Sequence, residues 1–323
     1  MAIILLLTGC GDPVMDQINK QIPLTEKQLS QLAESLDSGN VRNALLIKQY
    51  ADTLEKKNAS YTPLLNEFRK DASSEGPMFK ALTERLELVK SQPQMFASSQ
   101  ARFEELLNIF QAANPSLYSD ALSDPLNVLA DLSQGELPRV NALSKEQSMR
   151  ANNAQDFGYG EQLIGNPAYG QWQNDNSGTS FWVWYGMYRI LDDVFDDAFD
   201  RKRKRRIYYN QWGKSRNYSY YSDFGRTRYS SPTQLRKQTQ LDTRTRKSFE
   251  SKGQKFTSAY SKNRTGASSM SSQSKTAQAS ANRFRSNTKA KSTYAKSSKS
   301  TTAKNASFRN SRSSTSRGVR RGK

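Results

Sequence analysis

The sequence predicts a mainly α-helical protein in three parts: a small helical bundle, a Gly/aromatic module with one amphipathic helix, and a long disordered basic tail. Leucines recur at helical spacing through the first part. Of the 33 aromatic residues, 19 fall between residues 157 and 229, which marks the second part. Residues 1–200 contain 16 Lys+Arg and 27 Asp+Glu, whereas residues 201–323 contain 33 and 3. This change of charge indicates a folded acidic part followed by a solvated cationic part.

An apolar run at residues 2–7 precedes Cys10, which is the single cysteine of the chain. The run is too short to cross a bilayer, which needs about 20 residues. Together with Leu7-Thr8-Gly9-Cys10 it resembles the lipobox of bacterial lipoproteins. The resemblance implies that Cys10 is acylated and anchors the chain in a lipid bilayer. We therefore expect residues 1–10 to be a truncated lipoprotein signal peptide.

The same resemblance predicts a place in the bacterial cell envelope. In Gram-negative lipoproteins an Asp directly after the cysteine retains the protein at the inner membrane. Here Gly11 follows the cysteine and Asp12 comes one position later, which favours the outer membrane over the inner one. Residues 11–23 are predicted to be a short tether between the anchor and the folded part.

Residues 24–135 are predicted to form an acidic helical bundle. A capping-box pattern from Thr25 to Gln28 predicts the start of the first helix, and the Asp-Ser-Gly-Asn run at 37–40 predicts its end. Asp124 is predicted to be the N-cap of a later helix, because Pro125 follows it. These leucine stripes are typical of an ordinary core, and a helical-repeat interpretation stays open. Further apolar stripes predict helices over 41–54, 63–70, 77–90 and 98–113.

Residues 136–206 are predicted to be a Gly/aromatic-rich module that contains a helix over 181–200. Seven apolar residues of this segment fall on one helical face. That face fits a core anchor, a membrane-interface helix or a helix that docks a protein partner. Aspartates beside it allow a weaker interpretation as a metal or acid/base site. The candidate contact residues on the face are Phe181, Trp184, Tyr185, Tyr188, Phe195 and Phe199.

A cationic block directly follows the predicted helix, where it can also cap the helix C-terminus. Residues 207–323 are rich in Ser, Thr, Lys and Arg, and they are predicted to be a disordered basic tail. Such a tail attracts anionic envelope lipids or polymers, and nucleic acid stays open as a partner. The candidate polyanion-binding residues of the block are Arg201, Lys202, Arg203, Lys204, Arg205 and Arg206.

The residue types that are missing limit the chemistry. Histidine is absent and cysteine occurs once, which excludes a Ser-His-Asp triad, an intrachain disulfide and a zinc-thiolate cluster. We therefore predict no cofactor, no metal site and no enzymatic activity. The predicted function is that of an envelope lipoprotein with a structural or interaction role. The alternatives are a nonspecific nucleic-acid-binding protein and a carboxylate-dependent envelope hydrolase that uses residues such as Asp192 and Asp193.

Overall fold

The described part of the chain is mainly helical, and its first half is a helical bundle, as the leucine spacing predicts. It belongs to a compact unit, Met1–Ala279. The predictions made for residues 1–11, including the acylation of Cys10, lie outside the described residues. The computed structural model describes residues 12–192, 206–262 and 264–266, together with Ser274.

Seven helices in the described residues build the bundle. Helix α1 packs against α4 and α5, and α2 packs against α3, α6 and α7. The predicted leucine stripe of α1, which includes Leu29, Leu32 and Leu36, is buried between these partners. The seven helices are α1 (Pro13–Asp37), α2 (Arg42–Lys57), α3 (Thr62–Asp71), α4 (Pro77–Ser91), α5 (Ser99–Ala112), α6 (Pro115–Ala121) and α7 (Ser123–Leu132).

Helix α1 begins much earlier than predicted. The Asp12 carboxylate accepts the N–H of Val14 at 3.0 Å, and Pro13 occupies the first helical position. Thr25 is buried inside the helix and its hydroxyl donates to the Gln21 carbonyl at 2.9 Å. The tether predicted for residues 11–23 and the cap predicted at Thr25 are therefore wrong.

The boundaries of the next helices are confirmed to within one residue, except that α2 continues three residues beyond its predicted end, to Lys57. The turn at 37–40 ends α1, with Gly39 at a φ of +77°. Ser98 caps α5 by accepting the N–H of Ala101 at 3.1 Å. Capping and turn residues close to each helix end determine these boundaries, so the sequence alone suffices to predict them.

Asp124 does not cap a helix. An additional helix, α6, begins after Asn114, whose side chain accepts the N–H of Ser116 at 3.0 Å. Helix α7 then starts at Ser123, so Asp124 lies within its first turn and is buried. The predicted N-cap is wrong because the carboxylate is used by another part of the chain, described below.

The Gly/aromatic module contains a β-hairpin where the sequence predicts a helix. Strand β1 (Gly170–Asn174) pairs antiparallel with β2 (Ser180–Trp184). A 3₁₀ turn, Gly186–Arg189, follows the strand, and residues 190–192 are helical. The predicted helix is wrong over 181–189, and its remainder at 193–200 lies outside the described residues.

The hairpin turn explains why the strand forms. The Asp175 carboxylate accepts the N–H of Ser177 at 3.0 Å and that of Thr179 at 2.9 Å, and Gly178 has a φ of +78°. Gly170 permits the close pairing, because a Cβ there would lie 2.4 Å from the Val183 carbonyl oxygen. The aromatic and β-branched residues of β2 suit a pleated strand as well as a helix.

Residues 207–262 are folded, so the disorder predicted for the first part of the basic tail is wrong. Three helices of the described residues lie outside the bundle: α8 (Lys145–Asn152), α9 (Tyr209–Ser215) and α10 (Pro232–Glu250). A π turn, Tyr221–Gly225, and a 3₁₀ turn, Ala259–Ser261, complete this segment. The Ser/Thr-rich composition of this segment is typical of a disordered chain, but its buried aromatic residues stabilise a folded one. These residues are Tyr209, Trp212, Tyr218, Tyr220, Tyr221, Tyr229 and Phe256.

Helix α10 carries a local signal that predicts its start. Ser231 and Gln234 form a reciprocal capping box around Pro232, with hydrogen bonds of 3.2 Å and 2.8 Å. The rest of the predicted tail lies outside the described residues, apart from residues 264–266 and Ser274.

Candidate functional site

The six aromatic residues predicted as a contact surface do not share one helical face in the described structure. Trp184 and Tyr188 are buried, and Phe181 is half-buried. Tyr185 is 42% exposed. Phe195 and Phe199 lie outside the described residues. The interpretation of the group as one contact surface is therefore wrong for Trp184 and Tyr188. Their rings are buried in the core and cannot contact a partner.

Tyr188 connects the module to the bundle. Its hydroxyl donates to the buried Asp71 Oδ1 at 2.8 Å, and its ring packs edge-on against Phe68 of α3 and Tyr169 of the module. Burial raises the pKa of Asp71 well above its ordinary value, and the bond from Tyr188 opposes this rise only in part. The aromatic concentration thus works as an internal packing surface between two parts of one unit.

All four tryptophans belong to one cluster. Trp184 contacts Trp182 at a ring separation of 5.6 Å, Trp182 contacts Trp172 at 5.2 Å, and Trp172 contacts Trp212 at 5.2 Å. Trp184 Nε1 also donates to Asp192 at 2.7 Å, so this aspartate has a structural partner. Tryptophan fluorescence therefore reports on the Gly/aromatic module and on α9, which packs against β2.

Asp124 joins the bundle to the segment after residue 206, and the sequence analysis missed this role. Its two carboxylate oxygens accept the backbone N–H groups of Tyr220 at 2.7 Å and Tyr221 at 2.8 Å. Arg85, which pairs with Glu105 at 2.7 Å inside the bundle, also donates to the carbonyl of Arg228. No local pattern reveals these contacts, since the partners lie 96, 97 and 143 residues apart in the chain.

Glu161 is the second buried carboxylate with several partners. It accepts the Phe157 N–H at 3.0 Å and the Asn217 side-chain amide at 3.2 Å, and Lys145 Nζ lies 3.9 Å away. Burial raises the pKa of Glu161 to about 7, although the charge of Lys145 acts against this rise. Burial is likewise the main cause that raises the pKa of Asp124 to about 7.

We expect the folded unit to gain stability as the pH falls from about 8 to about 5. In the unfolded chain Asp124 and Glu161 regain their ordinary pKa values of 3.8 and 4.5. Each carboxyl therefore binds its proton more tightly in the folded state, so its unfavourable contribution disappears as the pH falls through about 7. Urea titrations across this range measure the free energy of unfolding.

The variant Glu161→Gln provides the control for this pH dependence. Its amide keeps an acceptor oxygen but does not titrate, so the slope of stability against pH should become smaller. A pH profile that rises toward alkaline pH, or a slope unchanged in the variant, would contradict the assignment.

The predicted cationic block enters the described structure at one residue. Arg206 is exposed, and its guanidinium lies 4.6 Å from the centre of the Phe181 ring. The other candidates, which lie outside the described residues, are Arg201, Lys202, Arg203, Lys204 and Arg205.

A second basic surface, which the sequence analysis did not predict, lies on α10. None of the helix's residues is fully buried. Four exposed cations fall within an arc of about 100° of the helix surface, and another side of the helix packs onto the hydrophobic core through Leu241 and Phe249. We call these four residues the α10 basic face: Arg236, Lys237, Arg244 and Lys247.

A buried arginine cluster lies close to α10. Two guanidinium groups lie over the Tyr260 ring, with the Arg216 group 4.5 Å and the Arg226 group 4.4 Å from the ring centre. Arg216 also donates to Asp223 at 2.6 Å, and Arg264 Nε lies 3.9 Å from the same carboxylate. The cluster thus places the guanidinium groups of Arg216 and Arg264 near one carboxylate and that of Arg226 against the Tyr260 ring.

No family model, curated protein or solved structure matches this chain. No helix in the described ranges is long and apolar enough to cross a membrane. The arrangement of basic groups therefore carries the functional argument.

Proposed function

We propose that this chain is a lipid-anchored bacterial envelope protein with a structural or interaction role, which associates electrostatically with anionic envelope material. The α10 basic face carries the proposal. It presents four cations to solvent from a helix whose other side is held by the fold. Because the helix is rigid, these charges form an ordered surface, in contrast to charges scattered along a solvated chain.

Charge and spacing support an extended anionic partner. Arg236 and Lys247 are separated by about 16 Å along the helix axis. The described residues 206–262 contain 13 Lys+Arg and three acidic residues. One of those acids, Asp242, lies outside the arc of the basic face, where it pairs with Arg246 at 3.0 Å and accepts the Tyr209 hydroxyl at 3.2 Å. The acid that remains on α10 is Glu250 at its end, so the face keeps a net positive charge.

The proposed anchor rests on the resemblance of Leu7-Thr8-Gly9-Cys10 to a lipobox. Mass spectrometry of the mature N-terminus, combined with membrane fractionation, tests it. We expect a diacylated or triacylated Cys10 in the membrane fraction, and a Cys10→Ala variant that is neither processed nor acylated. An unmodified Cys10 in a soluble fraction would contradict the anchor and favour the nucleic-acid alternative.

Neutralising the α10 basic face is expected to weaken binding to anionic membranes. The variant R236Q/K237Q/R244Q/K247Q should bind vesicles of phosphatidylglycerol and phosphatidylcholine about tenfold more weakly or worse, since each cation near such a surface contributes about 1 kcal/mol. Co-sedimentation of the acyl-free Cys10→Ala chain measures this affinity without the anchor. Binding of the unsubstituted face should also fall steeply with added salt.

A matched control removes the same charge from the bundle. The variant K20Q/K27Q/R42Q/K56Q alters four exposed cations of α1 and α2 and should leave vesicle binding within about twofold of the parent chain, because these cations lie in an acidic surrounding. Equal losses in both variants would show that total charge, and not the α10 face, governs binding. Binding that is insensitive to salt, or tighter to a DNA duplex than to the vesicles, would also contradict the proposal.

A further inference from the structure

Two arginines of the buried cluster have nearly no contact with solvent. Arg216 is 1% exposed and the side chain of Arg264 is 4% exposed. Arg216 Nη1 donates to the Asn217 carbonyl at 3.1 Å, and Nη2 donates to Asp223 Oδ1 at 2.6 Å. A buried charge is costly unless it is paired and hydrogen-bonded. The remaining guanidinium N–H groups are therefore also expected to have hydrogen-bond acceptors.

Three of those N–H groups are buried and have no hydrogen-bond partner among the described residues. They are Nε of Arg216 and both Nε and Nη2 of Arg264. The Nε and Nη2 atoms of an arginine form one edge of the guanidinium plane, and this edge binds two oxygens of a carboxylate or phosphate in parallel. In Arg264 the whole edge has no partner in the part of the chain that the structure describes.

The nearby carboxylates do not satisfy this edge. Asp223 Oδ1 lies 3.9 Å from Arg264 Nε, beyond hydrogen-bond distance. Its two oxygens are already engaged by Arg216 and by the Ser219 N–H at 3.3 Å. Glu161 also acts electrostatically on Arg264, but its oxygens accept bonds from Phe157 and Asn217.

The cluster consequently holds more positive than negative charge. Burial is the main cause that lowers the pKa of Arg264 to about 10, and the charge of Arg216 lowers it further. Arg226 adds a third guanidinium, which lies 4.4 Å from the centre of the Tyr260 ring. An anion with several acceptor oxygens would satisfy the unused donors and balance this charge.

We propose that Arg264, through its Nε/Nη2 edge, and Arg216, through its Nε, bind a small free tetrahedral oxyanion of the phosphate type. Both side chains are buried, which favours a small ion over the phosphodiester of a polymer or of a lipid. This site is separate from the α10 basic face and does not depend on the proposed association with envelope material.

The test uses the full chain and inorganic phosphate as the probe. Thermal unfolding is followed by tryptophan fluorescence, which is suitable because the Arg216 guanidinium lies 5.7 Å from the Trp212 ring. Phosphate should raise the melting temperature by several degrees and in a saturable manner, as expected for a ligand that binds the folded state alone. Sodium chloride at the same ionic strength should not reproduce the effect.

Three variants distinguish a site from general screening. Arg264→Met should lose the phosphate-specific rise, whereas Arg244→Met, which alters the exposed α10 face, should keep it. Asp223→Asn removes the competing carboxylate and should increase the response to phosphate. If Arg264 is only an ion-pair partner of Asp223, then Asp223→Asn will lower stability without increasing that response, and the proposal is wrong.

Two further measurements test the proposal even if the Arg264→Met variant does not fold. Isothermal titration of the parent chain with phosphate should show saturable binding near one equivalent, and its absence would overturn the site. Dimethyl phosphate and glycerol 3-phosphate distinguish the sources of the anion. Stabilisation by either of these esters, but not by inorganic phosphate, would refute a site for the free ion.

Discussion

Removal of residues 207–323 is expected to abolish cooperative folding of the Gly/aromatic module, whereas removal of residues 280–323 should leave the melting temperature unchanged. The first truncation deletes buried aromatic residues, among them Trp212 and Tyr221. Each such burial contributes about 1.5–3 kcal/mol. Losing several of them is comparable with the entire stability of a typical domain, about 5–15 kcal/mol. The second truncation leaves the compact unit Met1–Ala279 whole.

Thermal unfolding followed by far-UV circular dichroism and tryptophan fluorescence measures both truncations. In the first, the three remaining tryptophans should show solvent-exposed emission at room temperature, while helical signal from the bundle persists in part. A cooperative fluorescence transition in the chain that ends at residue 206 would contradict the role assigned to the segment after it.

Substitution of Asp124 by Ala should cost about 2–6 kcal/mol in the free energy of unfolding, because each of two buried N–H groups left without an acceptor costs about 1–3 kcal/mol. Asp124 is 1% exposed and accepts the N–H groups of Tyr220 and Tyr221. After the substitution these buried N–H groups have no acceptor and no access to water. Urea titration gives the free energy of unfolding directly.

Two further variants are compared with Asp124→Ala for their loss in the free energy of unfolding. Asp52→Ala removes a carboxylate whose side chain is 61% exposed and which pairs with Arg69 on the surface; it should cost about 0–1 kcal/mol. Asp124→Asn keeps one acceptor oxygen and should show an intermediate loss. Equal costs for Asp124→Ala and Asp52→Ala would mean that Asp124 does not hold the two segments together.

Part of the candidate functional site can be predicted from the sequence. The charge change near residue 200 directs attention to the basic segment, which begins with the block that ends at Arg206. The pattern Ser231-Pro232 with Gln234 is a helix-start signal that could have revealed α10 and its basic face. The arginine cluster could not be predicted, because Arg216, Asp223 and Arg264 have no recognisable spacing.

Local patterns determine the bundle. The leucine stripes, the turn at 37–40 and the Ser98 cap act over a few residues, so sequence alone places α2 to α5. The same logic fails at residues 181–189. Aromatic residues there satisfy both helical and strand periodicity, and the choice depends on a partner strand with Gly170 at the point of closest approach.

Only the tertiary structure decides the fate of residues 207–262. Their composition is polar and basic, which by itself is typical of a solvated chain. They fold because the bundle supplies what they lack: Asp124 accepts their backbone N–H groups, and Arg85 donates to the Arg228 carbonyl. The sequence by itself thus determines helices whose hydrogen bonds close within a few residues, whereas order that depends on distant acceptors and apolar partners emerges only when the chain has folded.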